Sequence, residues 1–264
     1  IREGYLDDEM LETLNKRYNP DFTLPPGEMW VTLAATNRVA NERNAEELSR
    51  INSTEFTSTA AITGDTKGFT YPTEQILKYK VGSQIMMINN AASGAWVNGT
   101  IATITNVDST IPHAPMISAR TEDGRIISFS YNTWEITSPK AGKHGLDYDV
   151  IGSFTQLPFK LAWAITIHKS QGQTLNNAII DLTGGTYATG QLYVALSRCT
   201  SLTGMVLKKP IKKRDLKVDD RVQEFMKNVT NMDTMYDKII IECVYIKNDD
   251  DLLCPIEIAL VNNG

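Results

Sequence analysis

Apolar positions recur at helical spacing in the first stretch, DDEMLETLNKRY, where Met10, Leu11 and Leu14 share a face. Asn19-Pro20 and then Pro25-Pro26-Gly27 stop that helix. The pattern changes to an apolar run of strand length, MWVTLAATN, and then to RVANERNAEELSRI, which is rich in helix formers. A strand feeding a helix exposes backbone N–H groups beyond the strand end, with Asn37 as the expected N-cap, and such a terminus binds phosphate readily.

From about residue 66 to 140 the helical pattern disappears in favour of short strand-like runs: VGSQIMMIN, WVNGTIATITNV, APMISAR, RIISFSY and TWEIT. Asp123-Gly124 between two of them is a hairpin signal. Five strands in so short a span predict a small barrel inserted into an α/β domain. The α/β pattern resumes with QLPFKLAWAITIHKSQG, read as a helix of about 13 residues with Pro158 in its first turn and Gly172 just past its end. NNAIIDL then reads as a buried strand, TGQLYVALSRCT as a second helix with Thr189 as N-cap, and GMVLKKPI as another strand. A parallel or mixed sheet with helices on both faces fits this alternation.

A length of 264 residues allows two modest cores, and 42% hydrophobic with 22% charged residues is the composition of a chain that folds. No apolar run reaches the ~18 residues that a membrane span needs, and the N-terminus has no secretion signal, so a cytoplasmic protein is expected; its expected state is a monomer. Cys199, Cys243 and Cys254 lack metal-ligand or disulfide spacing, so no metal site is assigned. A net charge of −5 argues against a protein that coats duplex DNA through a broad basic face, while leaving room for a local positive groove.

HKSQG gathers an imidazole, an ammonium, a hydroxyl and an amide beside a glycine. Such a cluster suits phosphate or nucleic acid; it equally describes a polar helix terminus whose Lys169 complements the dipole. Arg198 reads as a fixed guanidinium able to clamp phosphate, or as a partner for a carboxylate or its own helix end. Among the aromatic side chains, Trp134 and Trp163 fit packing positions and Trp96, beside Gly94, is expected to be exposed. The run KKPIKKR at 208–214 reads as a solvated sheet edge or a phosphate contact. His113 and His144 sit in loops without partner ligands.

LAWAITIHKSQGQTL followed by GQLYVALSR closely resembles motifs V and VI of the 5′-to-3′ superfamily 1 helicases, the RecD-like and petite-integration-frequency group. VTLAATNRVANERN resembles their motif IV, and VGSQIMMINN with WVNGT resembles the small barrel they insert, so the likeness covers residues 1 to about 212. The resemblance implies an α/β, RecA-like (P-loop NTPase-type) second motor domain at 1–65 and 141–212, an inserted SH3-like β-barrel at 66–140 and a C-terminal extension at 213–264. It implies ATP held between two RecA-like domains and single-stranded DNA crossing both. By motif, Arg198 is the expected arginine finger; Gln171, Gly172 and Thr174 lie toward ATP. Thr36, Asn37, Thr166, His168, Lys169 and Ser170 line or brace the DNA track.

The chain departs from that family in one respect: no GxxxxGK followed by Ser or Thr occurs, nor the acidic pair that holds Mg2+. The expectation is that the phosphate-binding domain lies upstream and that this chain does not hydrolyse ATP alone. The rival expectations are a single-stranded DNA-binding adaptor without a motor, and the motor part of a conjugative relaxase-helicase. Past Arg214 the likeness fades: DDRVQEFMKNV reads as a helix, IIIECVYI and PIEIALV as two strands around a polar turn. The two strands faintly resemble the opening hairpin of DnaQ-type exonucleases, but Glu242-Cys243-Val244 lacks the Asp-x-Glu that such a nuclease needs for metal.

Overall fold

The computed structural model describes residues 1, 5–25, 27–110, 115–142, 145–219, 221, 224, 240–247 and 253–261, with 141–142, 145–146 and the last two stretches by backbone alone. In chain order the elements are α1 (Asp8–Asn15), β1 (Val31–Ala34), α2 (Asn37–Arg50), β2 (Glu55–Thr59), β3 (Ala61–Gly64), β4 (Ile76–Lys80), β5 (Gln84–Met87) and β6 (Ile101–Asp108). They continue as β7 (Met116–Thr121), β8 (Ile126–Phe129), β9 (Asn132–Gly142), β10 (Gly145–Gln156), β11 (Phe159–Leu161), β12 (Ala164–Thr166), β13 (Ala178–Asp181), α3 (Gln191–Leu196) and β14 (Met205–Leu207). The last two strands are β15 (Ile240–Lys247) and β16 (Leu253–Val261). The chain divides into two units: Ile1–Ala60, Tyr71–Asn132 and Gln156–Asp219 in the first, and Ala61–Thr70, Thr133–Thr155 and Asp220–Gly264 in the second.

The first unit contains a parallel sheet ordered β12-β1-β13-β14. Its strands are buried on both faces, which explains their continuous apolar runs. Val31, Leu33, Ile180 and Leu207 share one core with Leu14 of α1 and Leu192 and Ala195 of α3. On the other face Trp30, Ile179 and Val206 pack with Phe22, while α2 lays Ala40 over Ala34 and Ala164. The Asp7 side chain accepts from the Met10 N–H at 2.7 Å and starts α1 as its spacing predicts. At α2 the cap is Thr36, not Asn37: Thr36 is extended and its Oγ1 accepts from the Val39 N–H, which leaves Asn37 as the first helical residue.

The segment from Gln156 to Gly172 is not a helix. Phe159–Leu161 pairs antiparallel with β5 and Ala164–Thr166 pairs parallel with β1, leaving only a single 3-10 turn at His168–Ser170. An apolar run buried on both sides carries no periodicity to separate helix from strand, and here the β-branched Ile165, Thr166 and Ile167 favour the strand. α3 is also shorter than expected, and its N-cap is Gly190 at φ 72°, not Thr189.

The strands after α2 form an open antiparallel sheet, β11-β5-β6-β7-β8, and a two-stranded ribbon, β2-β4. Leu77 and Tyr79 of the ribbon close over Ile85, Ile104, Phe129 and Phe159 of the sheet. The β7–β8 hairpin turns at Asp123-Gly124, with Gly124 at φ 85°. Among the described residues no closed barrel forms. β9, which contains TWEIT, pairs instead within a sheet ordered β3-β10-β9, and the fully buried Phe159 brings in β11 as the five-stranded sheet's remaining strand. Trp96 is half-buried rather than exposed, edge-on to Phe129 with its Nε1 donating to Asn89 Oδ1 at 3.0 Å.

In the second unit Trp134 leans on Phe154 with ring centroids 5.9 Å apart. β15 and β16 pair antiparallel, with Glu242 opposite Ala259. His113, His144 and nearly all of DDRVQEFMKNV lie outside the described residues. Among the described residues no helix is long and apolar enough to cross a membrane.

Candidate nucleotide and DNA site

The register of β1 against β12 sets Ala34 beside Thr166, so both strands end at the same edge of the sheet. The Ile167 N–H donates to the Ala34 carbonyl at 3.0 Å and extends the match one step further. The segments leaving the two strands are therefore held side by side: Thr36 and Asn37 after β1, and the turn His168–Ser170 after β12. The six residues expected along a DNA track sort by exposure. Asn37, His168 and Lys169 face solvent. Thr36 is spent on its cap, Thr166 accepts from the Lys169 N–H at 3.3 Å, and the fully buried Ser170 donates to the Ile167 carbonyl at 2.6 Å. These three brace the edge and leave the first three to meet a ligand.

Beyond the turn, Gln171, Gly172 and Thr174 are exposed, and Gly172 sits at φ 77° with open space where a side chain would begin. Its conformation, not crowding, calls for glycine. Leu175 and Cys199 then form a parallel bridge, with the Leu175 N–H on the Arg198 carbonyl at 2.9 Å. The Arg198 guanidinium folds back: Nη1 donates to the Gln173 carbonyl at 3.0 Å, Nε to the Val194 carbonyl at 3.1 Å and Nη2 to Ser197 Oγ at 2.9 Å. The guanidinium is thus parked one residue from Gly172, held by neutral oxygens. Arg198 and the glycine turn are brought together from sites 26 positions apart in the chain. A cleft of about 580 Å³ adjoins this turn, lined by Gly172–Asn177, Val97–Ile101 and the Thr121–Asp123 hairpin. Glu122, Asp123 and Arg125 also line it, with Arg125 paired to Asp123 at 2.6 Å; hydrogen bonds from Thr121 and Arg125 hold the Asp123 carboxyl below the usual range.

No protein-family model matches the chain. It is similar to the ATP-dependent DNA helicase Pif1 of Bdellovibrio bacteriovorus, 30% identical over 232 residues that cover 86% of this chain and 49% of that protein. The solved structure of Pif1 from a Bacteroides species in complex with ADP-AlF4 superposes with a TM-score of 0.77 at 28% identity, over 88% of this chain and 52% of that one. The chain is homologous to the Pif1-family helicases over most of its length. A Bacteroides Pif1 structure bound to single-stranded DNA matches with a TM-score of 0.64 at 28% identity, over 86% of this chain and 51% of that one. This Pif1-like chain spans about half the length of each of these three proteins.

One residue near this strand edge is not singled out by its sequence pattern. Lys160, on β11, is half-buried, and its pKa is pushed down to about 8, first by burial and then by the charge of Lys169. Its signal is present as the one charge inside an apolar run, hidden when that run is taken for a helix. Lys208, by contrast, is committed to the carbonyls of Pro20 and Phe22, at 2.7 and 3.3 Å, and Lys213 to Asp8 at 2.7 Å, so the basic run behaves largely as a solvated edge beside β14. Burial pushes the Cys199 thiol up to about 11, against the opposing charge of Arg198, which rules out a thiolate there at neutral pH. A guanidinium and an exposed glycine turn suit the phosphate end of ATP. Mg2+ is another matter, since no group of three His, Cys, Asp or Glu able to hold a metal stands among the described residues.

Proposed function

We propose that this chain is the C-terminal part of an ATP-dependent 5′-to-3′ DNA helicase, supplying the arginine finger and half of the single-stranded DNA track. A RecA-like domain upstream on the same polypeptide supplies the phosphate cradle and the Mg2+ ligands. The observation that carries this reading is the position of Arg198, tied to the main chain of Gln173 beside the Gly172 turn. A guanidinium held there needs only a change of rotamer to leave three neutral acceptors for a γ-phosphate, whose opposite charge and planar fit to the guanidinium the carbonyls and hydroxyl do not offer. Its role is to neutralise charge developing in the transition state. Asn37, His168 and Lys169 contact the single strand from the adjoining strand ends, Gln171, Gly172 and Thr174 relay between strand and nucleotide, and the five-stranded sheet with its β2-β4 ribbon plays the part of the SH3-like barrel. The Pif1 relatives, one solved with ADP-AlF4 and one with single-stranded DNA, support this assignment.

The test is steady-state ATP hydrolysis, with and without single-stranded DNA, by the polypeptide extended upstream. DNA-stimulated turnover that falls about 10³-fold or more in Arg198→Ala is the expected result. Equal turnover in the two proteins removes Arg198 from catalysis. A second reading, a DNA-binding adaptor without a motor, is favoured by the lack of a GxxxxGK loop in these 264 residues. Tight binding of single strands with no turnover in the extended polypeptide would decide for it.

A further inference from the structure

We infer that Gln191 is a positioning residue that ties the β1 strand end to the helix leading into Arg198, so that a single strand engaging the first is felt at the second; this rests on the motor reading above. Gln191 opens α3 and is only 3% exposed. Its Oε1 accepts from the Tyr187 and Ala188 N–H groups at 2.7 and 3.3 Å, while its Nε2 donates to the Ala35 carbonyl at 3.1 Å. One carboxamide thus holds the loop entering α3 with one end and the exit of β1 with the other. Ala35 immediately precedes Thr36 and Asn37, at the edge assigned to DNA.

The rest of α3 is built to transmit a shift. Leu192 and Ala195 are buried in the core of the parallel sheet, so the short helix moves only with its surroundings. At its far end the Arg198 N–H donates to the Ala195 carbonyl at 3.3 Å, fixing the finger's backbone to the helix. Displacement of the Ala35–Asn37 turn on binding a strand therefore pulls on α3 through Gln191 and changes where Arg198 is presented. Coupling of this kind is carried by hydrogen bonds and rigid elements between the two sites, and the bonds from Gln191 to Ala35 and from Arg198 to Ala195, joined by the helix between them, supply such a connection. A carboxamide suits the task because it offers a donor and an acceptor in fixed opposition.

Gln191→Glu separates the link from the local packing. The carboxyl keeps both acceptor contacts to the loop, while in place of the donor to Ala35 it sets an oxygen against that carbonyl, in a site only 3% exposed. In the upstream-extended polypeptide with oligothymidylate as the single strand, the expected result is a fall of about tenfold in kcat at saturating DNA. The KM for ATP should stay close to wild type and the thermal midpoint should drop with the lost buried bond, while the rate without DNA should fall far less than the stimulated rate, so the stimulation factor collapses. Gln191→Met, which loses both ends, should lower the stimulated rate at least as far. Full stimulated turnover in Gln191→Glu overturns the inference, as does an equal loss of stimulated and unstimulated rates, the mark of a merely structural role. If wild type itself shows no DNA-stimulated turnover, the motor reading fails first.

Discussion

Lys160 shows how a single side chain reports on what its surroundings lack. Its pKa is down to about 8, with burial as the main cause and the Lys169 charge second. A free lysine titrates near 10.4. Between about 8 and that value the unfolded chain holds a proton that the folded chain has released, so stability rises with pH through this window. An anion beside the two lysines reverses the balance, and in the proposed track that anion is a DNA phosphate. Lys160→Met is therefore expected to raise the thermal midpoint at pH 7 and to abolish the gain in stability above pH 8, while weakening binding to oligothymidylate. One lost phosphate contact lowers the slope of log affinity against log salt by about 0.7. Thermal melts at pH 7 and 9 and a salt titration measure both effects; an unchanged slope denies Lys160 a phosphate.

At the scale of elements, the alternation of strands and helices around the parallel sheet was legible because β1, β13 and α2 each carry an unmixed pattern. The Asp123-Gly124 hairpin was legible because its turn residues are local. β11 and β12 were not, because what makes them strands lies far away in sequence. The outward-facing N–H and carbonyl of Ala164 are taken by the Asn44 side chain on α2, at 2.8 and 2.7 Å and 120 positions distant. A carboxamide there completes an edge strand as a neighbouring strand would. The candidate site divided in the same way: the motif nominated residues that the fold does gather at one strand edge, but burial separated Ser170 from His168, and no spacing announces burial. Asn44→Leu leaves two polar groups of the buried Ala164 unpaired, at about 1–3 kcal/mol each. The predicted loss is about 3 kcal/mol in denaturant unfolding, with a lower midpoint at unchanged slope. A loss below about 0.5 kcal/mol would mean that water reaches this edge and satisfies it.

Across the first unit as a whole, the question is whether its two sheets stand or fall together. Gln84, inside β5 of the five-stranded sheet, donates from Nε2 to the carbonyls of Trp30 and Ala162, both at 2.8 Å, on the main chain leading into β1 and β12. Met86 and Ile101 of the same sheet belong to the core of the parallel sheet. With a shared core and a shared buried amide, neither sheet should open without the other. Hydrogen exchange in rising denaturant is then expected to give one opening free energy for Ile180 in β13 and Ala102 in β6. Gln84→Met removes the amide but not the shared apolar packing. It should lower both values together by about 2 kcal/mol, the cost of two carbonyls losing a buried donor. If instead the β6 amides open at lower free energy than those of β13 in the wild-type chain, the five-stranded sheet is a separate cooperative unit, and the core that joins it to the parallel sheet contributes little to holding it folded.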